Sequence, residues 1–159
     1  MDPLLELLSK NGRETDETLA RLLNIPVAEV EERRITLERS GAIRGYRAVI
    51  NEAALGTDCV RAAIELRIRP ERSGGFDRIA HRLSELPPVE SLYLMSGGFD
   101  LLLFVRGRNL QEIANFVSVE LAPLDGVLST ATHFLLKTYK DQGTLMENTR
   151  HDDRLQISP

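Results

Sequence analysis

The apolar positions of the N-terminal stretch recur at helical spacing in three blocks separated by turn residues. Leu4, Leu5, Leu7 and Leu8 predict a first helix that stops at Asn11-Gly12, a pair suited to a helix C-terminus and turn. Leu19, Ala20, Leu22 and Leu23 predict a second, with Thr15 able to cap it and Asp16 and Glu17 at its positive end. Asn24-Ile25-Pro26 interrupts, because proline disfavours helical geometry in the preceding residue and is tolerated where a helix begins. A third helix is expected from Val27 to Ser40, with Gly41 as a left-handed stop. At about 100° per residue, Val27, Val30, Arg34 and Leu37 share one face of it, and Ala28, Glu29, Glu32, Arg33 and Thr36 the opposite one. This is the layout of a helix-turn-helix, whose second element lays its exposed side in the DNA major groove. Periodicity alone equally allows a three-helix bundle with no ligand.

Gly45 to Ile50 reads as an extended connecting strand, and from Cys59 onward the period changes to two. Val60, Ala62, Ile64, Leu66 and Ile68 alternate with Arg61, Ala63, Glu65, Arg67 and Arg69 up to Pro70, the pattern of a half-buried strand. Ser73-Gly74-Gly75 leads into a helix carrying Phe76, Ile79, Ala80, Leu83 and Leu86, ended by Pro87-Pro88. Strands are expected over Val89 to Ser96 and Phe99 to Arg106, joined by a two-residue Gly97-Gly98 turn with positive φ. Asn109 can cap the next helix with Glu112 reaching back, and Leu110, Ile113, Ala114, Val117 and Leu121 form its stripe. Val127 to about Lys140 reads as the last strand. Strand, helix, strand, strand, helix, strand is the ferredoxin-like order, with both helices on one sheet face. The middle strands are apolar on both faces, so something must cover the other side, and a second copy of the same sheet is the least demanding cover. The N-terminal helices or the tail are the alternatives. The tail from Asp141 is polar, with Arg150, Asp152, Asp153 and Arg154 before Leu155-Gln156-Ile157, a composition that defaults to disorder but allows a short edge strand.

Composition narrows the classes. Of 159 residues 42% are hydrophobic, and a domain of roughly this size buries about 70% of its unfolded surface, so no staple is needed. The single Cys59 excludes a disulfide scaffold and a Cys-rich zinc site and fits a reducing compartment. The start lacks a signal peptide's basic and apolar regions, and no apolar run approaches a membrane span, so a cytoplasmic protein with no membrane partner is expected. The formal charge of −4 argues against nucleic-acid binding by bulk positive charge. Residues 1–57 carry 8 Lys or Arg against 10 Asp or Glu, and the remainder 12 against 14, so no basic domain is hidden behind an acidic one. His81, His133 and His151 make no metal spacing, no nucleophile is paired with a base, and no phosphate-binding glycine loop occurs, so neither a cofactor nor an enzyme is expected.

The order of these elements, with Leu37-Glu38-Arg39-Ser40-Gly41-Ala42-Ile43-Arg44-Gly45-Tyr46 at the junction, resembles the Lrp/AsnC family of transcription regulators. Asn11-Gly12-Arg13, the Ser96-Gly97-Gly98-Phe99-Asp100 hairpin, Val127-Leu128-Ser129-Thr130-Ala131-Thr132 and Lys137 match further family positions, and the likeness spans about residues 2 to 140. The fold it implies is α+β: an N-terminal winged-type helix-turn-helix (1–44), a connecting strand and linker (45–57), a ferredoxin-like βαββαβ domain (58–140) that dimerises through its sheet, and a polar tail (141–159).

The resemblance further implies homodimers assembling to tetramers or octamers on double-stranded DNA, and a small effector, often an amino acid, near the hairpin. Candidate DNA contacts are Thr15, Ala28, Glu29, Glu32, Arg33 and Thr36: Arg33 to a guanine edge or phosphate, Thr36 to a phosphate or thymine methyl, and Glu29 or Glu32 to a cytosine amine. Thr15 is first a helix cap, and the same helix end can also take a phosphate. Candidate effector contacts are Ser96, Gly97, Gly98, Phe99, Asp100, Thr130 and Thr132, with glycine-loop N–H groups for a carboxylate and Asp100 for an ammonium. Two alternatives remain at this level. One is a metabolite-binding oligomer with impaired DNA binding, supported by the acidic third helix and by Arg34, where the family usually has an aliphatic residue. The other is a siroheme-decarboxylase-like enzyme, for which no His-Tyr-x-Arg-like signature is present.

Overall fold

The structure, a computed structural model, describes residues 2–56, 59–69 and 75–146. The expectations for Pro70, Ser73-Gly74, His151 and the Leu155-Gln156-Ile157 edge strand lie outside them. The chain divides into two compact units between Ile50 and Asn51.

The first unit is three helices, α1 (Pro3–Lys10), α2 (Asp16–Leu23) and α3 (Val27–Arg39). Each start has a local cause. Asp2 accepts from the Leu4 N–H at 2.8 Å with Pro3 at the first helical position, and Thr15 accepts from the Thr18 N–H at 3.2 Å. Asn24 ends α2 at φ 54°, and Gly41 turns the chain out of α3 at φ 76° while the Ile43 N–H closes back on the Leu37 carbonyl. Leu4, Leu8, Leu19, Ala20 and Val30 are buried together, with Leu7, Leu23, Ile25, Leu37 and Ile43 packed around them. Val27, expected on the inner face, is 42% exposed, because the first turn of α3 begins outside the core that Val30 and Leu37 enter. The strand expected over 45–50 forms no ladder among the described residues. There Tyr46 returns to its own unit, donating its hydroxyl to Glu38 Oε1 at 3.0 Å, with its ring so close to Gly12 that a Cβ there would lie 3.0 Å from it.

The second unit opens with a short helix, α4 (Glu52–Leu55), inside what reads from sequence as linker. β1 (Val60–Ile68), α5 (Asp77–Ser84), β2 (Val89–Leu94), β3 (Leu101–Gly107), α6 (Leu110–Asn115) and β4 (Val127–Phe134) follow. The sheet order is β2-β3-β1-β4, antiparallel throughout, the ferredoxin-like arrangement. Ala62, Ile64, Leu66 and Ile68 of β1 and Leu101, Leu103 and Val105 of β3 face the helices and are buried with Leu83, Ile113, Phe116 and Leu121.

Four details depart from the sequence expectations. β2 and β3 are joined by a four-residue loop, since the Met95 N–H still bonds the Asp100 carbonyl at 2.8 Å and only Gly97 of the glycine pair has positive φ. The second covering helix changes to a π-helix over Phe116–Leu121, which lets Phe116 and Leu121, five residues apart, both face the core. The last strand stops at Phe134. The start of the expected polar tail is instead a small hairpin, β5 (Lys140–Asp141) and β6 (Thr144–Leu145), tied to the linker by a 2.7 Å bond from Asn51 Nδ2 to the Met146 carbonyl.

Gly107 tests this packing, because a Cβ there would meet Ile113 Cγ1 at 2.9 Å and the buried isoleucine has little room to yield. Gly107→Ala is expected to destabilise the second unit by about 1–3 kcal/mol in chemical denaturation. An unchanged midpoint would show that α6 is not seated on β3 as described.

Candidate nucleic-acid interface and effector cleft

On α3 the core is entered by Val30 and Leu37, so the outward direction at about 100° per residue falls on Ala28, Glu32, Ile35 and Arg39. These four, with Glu31 and Thr36, line a shallow groove of about 350 Å³. Of the candidate DNA contacts, Ala28, Glu32 and Thr36 are brought together here, and the Thr36 hydroxyl bonds back to the Glu32 carbonyl at 2.8 Å. Thr15 stands apart as the cap of α2. Arg33 and Glu29 do not line the groove. Arg33 Nη2 reaches the Asp2 carboxylate at 3.2 and 3.3 Å, and its Nη1 lies 3.8 Å from Glu29. Sequence reasoning set the face by Val27 and so missed Glu31, Ile35 and Arg39; centring it on Val30 and Leu37 recovers Ile35 and Arg39.

Arg34 lies on the inner side as a bidentate partner of Asp16 in the first turn of α2, with Nε to Oδ1 at 3.1 Å and Nη2 to Oδ2 at 2.8 Å. Its Nη1 also meets Glu38 at 3.3 Å. The hydrogen bond to Asp16 raises the guanidinium pKa above its ordinary value despite partial burial. Burial, then the Glu38 carboxylate, pushes the Tyr46 hydroxyl up. Asp2 is held below the usual carboxylate range, chiefly by the Leu4 N–H and further by Arg33.

In the second unit, a cleft of about 250 Å³ is lined by Glu65, Arg67, Gly98, Phe99, Ser129, Thr130 and Ala131. Glu65 stands opposite Ala131 and Arg67 opposite Ser129 in the ladder, which places the cleft on the sheet face away from the helices, beside the hairpin. Arg67 Nε donates to the Gly98 carbonyl at 2.7 Å, and Glu65 lies 3.3 Å from His133 Nε2. Gly98, Phe99 and Thr130 are therefore at the cleft, whereas Ser96, Gly97, Asp100 and Thr132 do not line it. Asp100 is committed to the fold: its Oδ2 accepts from the Ile68 N–H at 2.8 Å and its own N–H donates to the Leu66 carbonyl at 2.9 Å, tying the hairpin to the end of β1. Thr132 sits opposite the buried Ile64 and Thr130 opposite the buried Leu66, so both side chains take the helix side, and Thr130 borders the cleft without turning its hydroxyl into it. Glu65, Arg67 and Ser129 were missed although the alternation of β1 carried the signal, since they occupy or oppose its outward positions.

Among the described residues no cluster of three His, Cys, Asp or Glu could hold a metal ion, and no helix is long and apolar enough to cross a membrane.

A capped three-helix unit with an outward groove, joined to a ferredoxin-like sheet with a polar cleft, defines the class of the helix-turn-helix transcription regulators that carry a separate ligand-binding domain. The chain belongs to the Lrp/AsnC family: residues 61–145 match the Lrp/AsnC ligand binding domain. It is 41% identical over 157 residues to the HTH-type transcriptional regulator YugG of Bacillus subtilis, covering 98% of this chain and 95% of that one. The leucine response regulatory protein of Mycobacterium tuberculosis has a similar structure, with a TM-score of 0.73, 25% identity and coverage of 91% and 95%. So does a transcriptional regulator of Neisseria meningitidis solved as its L-Met complex, with a TM-score of 0.67, 26% identity and coverage of 87% and 88%.

The Asp2 carboxylate makes a pH prediction. A carboxyl whose pKa is depressed on folding stabilises fully above its unfolded value of about 3.9, and the contribution is lost as pH falls through the lower folded value. Wild type is therefore expected to exceed Asp2→Asn in stability of the first unit at pH 6, with the gap closing towards pH 2. A gap independent of pH would sink this assignment.

Proposed function

We propose that the chain is a cytoplasmic transcription regulator that docks α3 of paired copies in the major groove of double-stranded DNA and responds to an amino acid held at the sheet cleft. The outward groove of α3 on a capped helix-turn-helix carries this reading. Half-sites one helical turn apart, or a multiple of it, follow from a two-fold dimer. Ala28, Glu32, Thr36 and Arg39 face the DNA, and Thr15 at the start of α2 faces the backbone. The open sheet face supports a second copy as its cover: Tyr93 is 51% exposed and meets Phe104 edge to face at 6.3 Å, next to half-buried Leu102. Such dimers assemble further to tetramers or octamers. The likeness to a regulator solved with L-Met supports an amino acid as effector. Arg67 suits its carboxylate, Glu65 its ammonium, and Ser129 adds a hydroxyl contact. The effector changes oligomer geometry and thereby which half-sites are spanned together.

Footprinting on the region upstream of the protein's own gene, with and without each amino acid, tests the reading. A periodic, effector-sensitive pattern that weakens steeply as salt rises is expected, because each neutralised phosphate releases counterions. Absence of any footprint at low salt, with the protein folded and oligomeric, would leave a metabolite-binding oligomer instead. In calorimetry, Arg67→Ala is expected to weaken the responsive amino acid by about tenfold or more, as loss of a charged hydrogen bond does. Unchanged affinity would remove Arg67 from the site.

A further inference from the structure

The charges of α3 are divided unevenly between its two sides. Four glutamates and three arginines stand on this helix. Glu29 lies against Arg33, and Glu38 holds Arg34 and the Tyr46 hydroxyl. Arg33 and Arg34 are in turn drawn to Asp2 and Asp16. Glu31 and Glu32 have no side-chain partner among the described residues; both are exposed and both line the outward groove. Beside them the groove offers the Ala28 methyl, and its one guanidinium, Arg39, stands at the far C-terminal end of the helix.

A recognition helix places its N-terminal residues deepest against base edges. Glu31 and Glu32 stand in the second turn of α3, within its N-terminal half, where two carboxylates without a side-chain partner are repelled by the phosphates unless they meet donors. A carboxylate accepts hydrogen bonds and donates none. The major groove presents only two kinds of donor, the N4 amine of cytosine and the N6 amine of adenine. Adenine sets its N7 acceptor beside N6, where it repels the second carboxylate oxygen, whereas cytosine has no acceptor beside N4. Adjacent helical positions project about 100° apart, so the two side chains meet different base pairs.

Resting on the DNA-binding reading above, we propose that Glu31 and Glu32 are the specificity-determining residues of α3, each selecting a cytosine through its N4 amine. Each half-site then contains two selected cytosines, with recognition by carboxylates in the second turn of the helix rather than by arginine on guanine.

The test is selection from a random duplex library by the full-length protein at low salt, comparing wild type, Glu31→Gln and Glu32→Gln. Both changes keep side-chain size on exposed positions, and glutamine pairs with adenine N6 and N7. Wild type is expected to enrich half-sites with two cytosines, and replacing either one to weaken binding by about tenfold or more. Each variant is expected to exchange one different cytosine for adenine. Wild-type sites lacking cytosine at those positions would overturn the proposal while leaving DNA binding intact. So would variants that bind every sequence more tightly with unchanged preference, since the carboxylates would then act only on phosphates. No enrichment by folded wild type overturns the DNA-binding reading itself, and this proposal with it.

Discussion

The second unit is organised by the register of β1, an interior strand and the longest of the sheet. It pairs with β3 on one side and β4 on the other, so the alternation of its side chains is imposed on three strands at once. Ala62, Ile64, Leu66 and Ile68 point to the helices and are wholly or almost wholly buried. The residues between them are thereby committed to the opposite face, and Glu65 and Arg67 reach the cleft only for that reason. Asp100 secures the end of this register by bonding the Ile68 N–H, which is why a carboxylate beside the hairpin serves the fold and not the cleft.

In the first unit a small aliphatic core leaves the relative placement of the helices to charge as well as packing. Asp2 joins α1 to α3 through Arg33, and Asp16 joins α2 to α3 through the bidentate Arg34. Half-buried ion pairs of this kind contribute geometry more dependably than net stability. Their functional consequence is subtraction: two of the three arginines of α3 are engaged within the unit, and the groove is left with more carboxylate than guanidinium. A module with this face and a net acidic chain draws little on bulk positive charge, which is why the proposed function joins several copies on one DNA.

Helix starts and the sheet's inner face were legible because their causes are local. Caps act within three residues, as at Thr15 and Asn109, and burial repeats with the period of the element, as along β1. The four-residue hairpin loop and the π-turn at Phe116 were not, since each depends on which neighbour the core requires, and a one-residue change in spacing leaves the apolar pattern almost unaltered. For the candidate sites, the motifs pointed to Gly98, Phe99 and Thr130, which border the cleft, and equally to Ser96, Gly97, Asp100 and Thr132, which do not. Glu65, Arg67 and Ser129 were passed over because nothing adjacent in sequence connects β1 to β4, strands more than fifty residues apart.

By itself the sequence determined the order of elements, the two-unit plan and the family resemblance, all of which follow from periodicity, caps and turn residues acting over a few positions. Only the tertiary structure decided which charged side chains are used up. Arg33, Arg34 and Asp100 have the same chemistry on paper as Arg39 and Glu32, and what separates them is a partner brought near by folding, from another helix or from the end of another strand. A sequence records how many charges a face has, whereas the packed chain sets how many remain to meet a ligand.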